Sequence, residues 1–249
     1  MTPVLLCLHG WGGSKESFTE LRAALDGSSL TMLTPDLPGF GAEPEPPEPW
    51  TVENYADWVE SWTRKKLQNG DGTEAPVHLL GHSHGGRIAL ALAARGNIPL
   101  RHLHLCASAG IPHRRMLRRS LGWMLSKTGS LLLSIPGLRR LQPIGKRVLY
   151  RLFRVHDYEK ASPVMRETMR NVQCTDLRPL LPTINVPTDI FWGTDDTMTP
   201  LADGKLMHRH IKGSTLHVFP GVRHRVHRDR AAAIASVILN NLDSRSPHP

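Results

Sequence analysis

Short apolar runs alternate along the chain with longer stretches in which apolar residues recur every third or fourth position. The runs at 4–9, 30–34, 77–80, 100–107, 188–192 and 215–219 are too short for buried helices and are rich in Val, Ile, Leu and Phe. They predict six strands. Between them, 14–25 carries an apolar stripe of Phe18, Leu21 and Leu25 behind a Ser14 N-cap. A helix is predicted from Val52 to about Gln68, capped by Thr51, with Asn54 in place of the Glu or Gln of a full capping box. Asn69-Gly70-Asp71-Gly72 ends it. Residues 87–95, 201–211 and 228–242 are the remaining helices of this pattern. Strands alternating with helices predict an α/β fold with a mostly parallel sheet of about six strands, covered on both faces.

Residues 111–182 break the alternation. The segment is helical in pattern, interrupted by Pro136, Pro143 and Pro163, and predicts a helical cap inserted between two strands. The core is then 1–110 with 183–249, and the cap lies over the carboxyl ends of the strands, where open parallel sheets place their sites.

At the junction of the third strand and its helix stands Gly81-His82-Ser83-His84-Gly85. A Gly-x-Ser-x-Gly core between a strand and a helix predicts a nucleophile elbow. The turn strains the serine backbone, and the two glycines let strand and helix pass closely. The hydroxyl then sits at a helix N-terminus, which favours negative charge on a reacting oxygen. Such a serine needs a base, and the base an orienting acid. Two acids, Asp195 and Asp196, follow the fifth strand, and His224 follows the sixth. His227 is the rival base.

Five motifs in this order resemble the α/β-hydrolase superfamily: His9-Gly10-Trp11-Gly12, Asp36-Leu37-Pro38-Gly39-Phe40-Gly41, the elbow, Gly193-x-x-Asp196-x-x-x-Pro200 and His224. The resemblance covers essentially the whole chain. It implies Ser83 as nucleophile, His224 as general base and acid, and Asp196, by its spacing to Pro200, as the orienting acid. It further implies an oxyanion hole built from the backbone N–H groups of Trp11 and His84, with the His9 imidazole orienting the first loop. Trp11, His84 and Trp123 are the substrate-binding candidates. The implied activity is a serine esterase acting on carboxylic esters through an acyl-enzyme. Thioester, lactone or carbon–carbon bond hydrolysis on the same triad, or a non-catalytic binding protein on this fold, are the alternatives. Ser83 rather than Asp at the elbow argues against the haloalkane dehalogenase and epoxide hydrolase branches. The first two motifs are also similar to those of pimeloyl-ACP methyl ester esterases.

Two departures from the family pattern stand out. The usual antiparallel strands before the first motif are missing from this sequence, so the sheet is expected to expose a new edge, which admits a dimer as well as a monomer. Arg223 stands where a small residue usually precedes the base, either as a cation beside His224 or pointing to solvent.

Charge adds one feature. The chain carries a net +9, yet residues 111–182 alone hold 15 Lys and Arg against 4 Asp and Glu. Clusters such as Arg114-Arg115, Arg118-Arg119, Arg139-Arg140 and Lys146-Arg147 alternate with apolar residues at helical spacing. They read either as the solvated outer faces of the cap or as a docking surface for an anionic membrane, an acidic acyl-carrier protein or acyl-CoA. Aromatics are not interleaved as stacking platforms, which disfavours nucleic acid.

Three cysteines, Cys7, Cys106 and Cys174, are odd in number and far apart, which predicts free thiols rather than a disulfide. With no signal-peptide pattern, a cytoplasmic protein is expected. Of the 14 histidines, His78, His102, His104 and His217 fall within strand runs and read as strand residues rather than ligands. His82 reads as a support for the turn. No metal site is expected, and neither a dinucleotide fingerprint nor a Walker pattern occurs, so no cofactor is expected.

Overall fold

A computed structural model of the chain describes residues 2–67, 77–112 and 161–243. The six expected strands form one sheet, β1 (Val4–Leu8), β2 (Thr31–Leu33), β3 (Val77–His82), β4 (Leu100–Cys106), β5 (Thr188–Gly193) and β6 (Thr215–Phe219). Their order is β2-β1-β3-β4-β5-β6, and every pair is parallel. Every residue of β1, β3 and β5 is buried; β1 reads as an unbroken apolar run for that reason, while β3 and β5 bury His78, His82 and Asp189 as well. The edges, β2 and β6, are only partly covered.

The helices follow from the same pattern, with local differences. Residues 15–18 form a 3-10 turn capped by Ser14, and only Thr19–Ala24 (α1) is α-helical. Helix α2 spans Val52–Leu67. Asn54 completes its cap after all: its Oδ1 accepts from Thr51 N–H at 2.9 Å while its own N–H donates to Thr51 Oγ1 at 3.3 Å. A shorter amide thus serves the reciprocal role expected of Glu or Gln.

Helix α3 (His84–Arg95) starts three residues earlier than the periodicity predicts, because the elbow leaves no gap between Ser83 and the first helical turn. Helix α4 (Pro163–Cys174) begins with Ser162 as N-cap and proline at its first position. A 3-10 segment over Arg178–Thr183 leads from it toward β5. Helix α5 is Leu201–His210. The expected final helix is two: α6 (Val226–Asp229) and α7 (Ala231–Asp243). Arg230 leaves the helical region between them, at φ −130° and ψ 31°. The break lets α6 turn Val226 and His227 inward.

Helices α2 and α3 pack together on one face, and α1, α6 and α7 on the other. Arg95 fastens the first pair, reaching Glu53, Asp57 (2.7 Å) and Glu60 (3.2 Å) on α2. The largest fully buried side chains, Trp192, Tyr55, Phe18 and Phe191, fill the space on either side of the sheet. Cys7 and Cys106 are buried free thiols and Cys174 is an exposed one.

Within 111–182, α4 lies at the carboxyl ends of the strands. Thr168 Oγ1 accepts from Trp50 N–H at 2.9 Å, and Met165 reaches Gly39 in the loop after β2. The basic clusters of 114–154, Trp123, the Asn69–Gly72 stop and the polar tail from 244 lie outside the described residues.

Candidate active site

The elbow is built as the spacing requires. Ser83 holds φ 52° and ψ −110°, a conformation that an L-residue adopts only under constraint. Three backbone hydrogen bonds impose it: Ser83 N–H to Cys106 O (3.2 Å), and Arg87 N–H (3.1 Å) and Ala109 N–H (2.9 Å) to Ser83 O. The flanking glycines are needed for close approach. A Cβ on Gly85 would stand 2.0 Å from the Leu8 carbonyl oxygen, and one on Gly81 2.6 Å from that of Gly85. Strand β3 and helix α3 therefore pass closer to each other and to β1 than any side chain permits.

Three side chains spread over 141 positions converge here. Ser83 Oγ lies 3.0 Å from His224 Nε2. His224 Nδ1 lies 2.8 Å from Asp196 Oδ2. The Asp196 side chain is fully buried, and the His224 side chain is 13% exposed, so the imidazole forms the open rim of the group. Asp196 is held from its other side, where Oδ1 accepts from Met198 N–H (2.8 Å) and Thr199 N–H (3.0 Å). Its neighbour Asp195 is exposed and accepts from Thr194 Oγ1. The Arg223 side chain is exposed, in line with the solvent-facing alternative.

The other predicted residues assemble around this chain. His9 accepts from Leu37 N–H through Nε2 (2.9 Å), so its Nδ1–H donates to Gly10 O (2.8 Å). That imidazole ties the loop after β1 to the loop after β2. Burial lowers its pKa and keeps it a neutral linker. A Cβ on Gly10 would lie 3.3 Å from that of Ser83, so the turn leading to Trp11 rests against the serine. His84 opens α3, and its N–H has no intrahelical acceptor.

The His84 imidazole is enclosed by aromatic rings, Tyr55 at 4.8 Å, Trp11 at 5.3 Å and Phe40 at 6.5 Å between centroids. Among the described residues, neither of its nitrogens has a hydrogen-bond partner. Burial, with Arg87 nearby, pushes its pKa well below the usual range. Trp11 stacks edge-on against Phe40 at 4.9 Å. Trp123, the third predicted contact, lies outside the described residues.

His224, and not the rival base His227, is the imidazole on the Ser83 hydroxyl; His227 packs elsewhere. It is buried against Phe18 (5.5 Å) and His82 (3.8 Å). Burial, helped by His224 and Arg228, lowers its pKa to about 3. His82 supports the turn by a bond of 3.0 Å between Nε2 and the His224 carbonyl, coupling the elbow to the base loop.

Sequence reasoning missed several neighbours. Thr199 Oγ1 lies 3.0 Å from Asp196 Oδ2, 3.1 Å from Ala107 O and 3.3 Å from His224 Nδ1, joining the acid loop to the end of β4. Its place three residues after Asp196 was the available signal. Tyr55 and Phe40 were visible only as helix and loop aromatics. Arg87 is buried four residues after the serine, where burial lowers its pKa to about 10.

Such an arrangement can take a proton from a hydroxyl and offset the resulting imidazolium with a buried carboxylate. Comparison with known proteins shows what the chain is similar to. A curated relative, pimeloyl-[acyl-carrier protein] methyl ester esterase from Neisseria meningitidis serogroup C, is 29% identical over 245 residues, covering 92% of this chain and 90% of the relative. Among solved structures, an esterase from Exiguobacterium antarcticum superposes with a TM-score of 0.73 at 22% identity, covering 98% of this chain and 92% of its own. The enol-lactonase from Burkholderia xenovorans gives 0.69 at 22% identity, covering 97% and 92%. These two share the fold. The family model described as "Alpha/beta hydrolase family" matches residues 5–237, and the chain belongs to the alpha/beta hydrolase family.

Proposed function

We propose that the chain is a serine hydrolase that cleaves carboxylic esters through an acyl-enzyme. The observation that carries this reading is the unbroken line Ser83 Oγ–His224 Nε2–Asp196 Oδ2, at 3.0 and 2.8 Å. In the first half-reaction, His224 Nε2 takes the Ser83 proton as Oγ bonds to the ester carbonyl carbon. The tetrahedral oxyanion is received by the Trp11 and His84 amides, and Asp196 stabilises the imidazolium. His224 then gives its proton to the leaving alkoxide, and the carbon–oxygen bond breaks to leave acyl-Ser83. Water repeats the sequence with His224 again as base, releasing the acid and restoring the hydroxyl.

The Trp11, Phe40, Tyr55 and His84 rings offer an apolar wall for the acyl group. Trp123 is proposed to complete the pocket from the cap at 111–182. A p-nitrophenyl ester series of increasing chain length, run on wild type and Ser83→Ala, tests the reading. Activity surviving in Ser83→Ala refutes the nucleophile. Hydrolysis of thioesters or lactones in preference to every ester moves the reading to that class. No turnover of any of them favours a binding protein.

The substrate reading follows the Neisseria relative, whose name specifies a methyl ester on an acyl-carrier protein. The excess of basic residues in 111–182 suits an acidic carrier of that kind. A carrier-borne methyl ester is then hydrolysed with a lower KM than the free methyl ester, and the difference shrinks as salt rises. Equal KM values at low salt remove the carrier. Stronger binding to anionic than to neutral liposomes, with no effect of the carrier, moves the basic surface to a membrane. Among the described residues no helix is long and apolar enough to span one.

A further inference from the structure

On the face of the sheet covered by α7, β4 contributes His102 and His104, β5 Asp189, β6 His217 and β3 His78. His102 Nε2 lies 2.8 Å from Asp189 Oδ2, and His217 Nε2 2.6 Å from Asp189 Oδ1. Asn241 of α7 donates to Asp189 Oδ2 at 2.8 Å. His104 is fully buried, and among the described residues neither of its ring nitrogens has a hydrogen-bond partner. Its Nδ1 stands 4.0 Å from Asp189 Oδ2. That is too far for a hydrogen bond. His78 stacks on both, nearly parallel to His102 and His104 at 6.1 and 5.9 Å.

We propose that His102, His104 and Asp189 form a binding site for a zinc-class divalent cation, separate from the serine site. One ligand atom from each lies within 4.8 Å of the others. Zinc holds nitrogen and carboxylate oxygen at about 2.0–2.2 Å, so tetrahedral ligands stand roughly 3.3 Å apart. The 2.8 and 4.0 Å separations bracket that value. The long one is a gap that a cation bridges and a proton does not. Two imidazoles and a carboxylate suit zinc or cobalt rather than magnesium or calcium.

The unpartnered His104 is the sign of a missing ligand, since buried polar groups are almost always satisfied. His217, on the second carboxylate oxygen, and Asn241 orient Asp189 as outer partners of metal ligands do. His217 and His102 keep 28% and 13% of their side chains exposed, which opens a path from solvent. His104 pairs with Leu80, three residues before Ser83, so the site sits about 10 Å along the strand direction from the serine.

The test is metal binding by the whole chain after chelator treatment and desalting, with Zn²⁺ and Co²⁺ as probes. Expected are one ion per chain, tetrahedral visible bands with Co²⁺, and a Tm rise of about 5–10 °C at a zinc concentration 100-fold above Kd. His104→Leu removes an unpartnered polar group and keeps the core filled; it and Asp189→Asn each abolish all three signals. Ser83→Ala, Asp196→Asn and the exposed-site variant His208→Ala/His210→Ala leave them intact. Should His104→Leu not fold, Asp189→Asn and the wild-type cobalt spectrum decide. An absent tetrahedral spectrum, or binding that survives Asp189→Asn, overturns the site. Neither result depends on esterase activity.

Discussion

Replacing Asp196 by Asn changes one atom and tests the whole proton path. Oδ1 faces two backbone donors, Met198 N–H at 2.8 Å and Thr199 N–H at 3.0 Å. An amide nitrogen there would meet both head-on, so the Asn oxygen takes that place. The amide NH₂ then occupies the Oδ2 position, 2.8 Å from His224 Nδ1. Nδ1 must become an acceptor, which moves the imidazole proton to Nε2, facing Ser83 Oγ at 3.0 Å. A protonated Nε2 cannot take the serine proton, and the carboxylate that would stabilise an imidazolium is gone. A swap of this kind in a buried triad costs about 10⁴-fold in kcat, or roughly 5.4 kcal/mol of transition-state stabilisation. KM on p-nitrophenyl butyrate should stay within about threefold, since the carboxylate is fully buried behind the imidazole. Asp195→Asn, on the exposed neighbour, should stay within about twofold of wild type. An Asp196→Asn enzyme that keeps its circular dichroism and Tm and retains kcat within about tenfold would refute both the triad and the tautomer argument.

Stability offers three further tests. Ser83→Ala and Ser83→Gly both lack the hydroxyl, but only glycine tolerates φ 52°; the Gly variant should melt about 2–4 °C above the Ala variant, from about 1 kcal/mol of relieved strain, and an equal or lower Tm contradicts a strained elbow. Gly85→Ala sets a Cβ 2.0 Å from the Leu8 carbonyl oxygen and should cost about 3 kcal/mol or more, against about 1 kcal/mol for Gly96→Ala, where φ is +68° but the space is open; thermal melts giving equal losses would place the strain elsewhere. Five buried histidines resist protonation in the fold, with pKa values lowered to about 4 for His78 and about 3 for His227, and well below the usual range for His82, His84 and His104. The unfolded chain takes up those protons first, near pH 6.5, so stability falls as pH drops below that value. From pH 7 to 5.5 the loss is roughly 1 kcal/mol for each of His78 and His227, with the other three acting in the same direction, and an unchanged Tm across that range would show that these imidazoles are not buried neutral.

The sequence by itself determined what depends on spacing. The apolar run Val4–Leu8 becomes a strand because both faces of a parallel sheet are dry, and it was legible almost to the residue; Thr215–Phe219, a partly covered edge, was legible from its short β-branched and aromatic run. That Ser83, His224 and Asp196 would converge was legible because a tight turn needs glycine at fixed offsets and the other two follow strand ends in a set order. Tertiary structure decided what depends on contact between distant segments. The early start of α3, the break at Arg230 and the reciprocal cap by Asn54 answer to local geometry that periodicity does not encode. Thr199 meets Ala107 across 92 positions, and Tyr55 closes on His84 from another helix. Most of all, His102 and His104 read as ordinary strand residues until strand order set Asp189 beside them. A two-residue repeat determines which face a side chain takes, but only the lateral order of strands determines what stands next to it on that face.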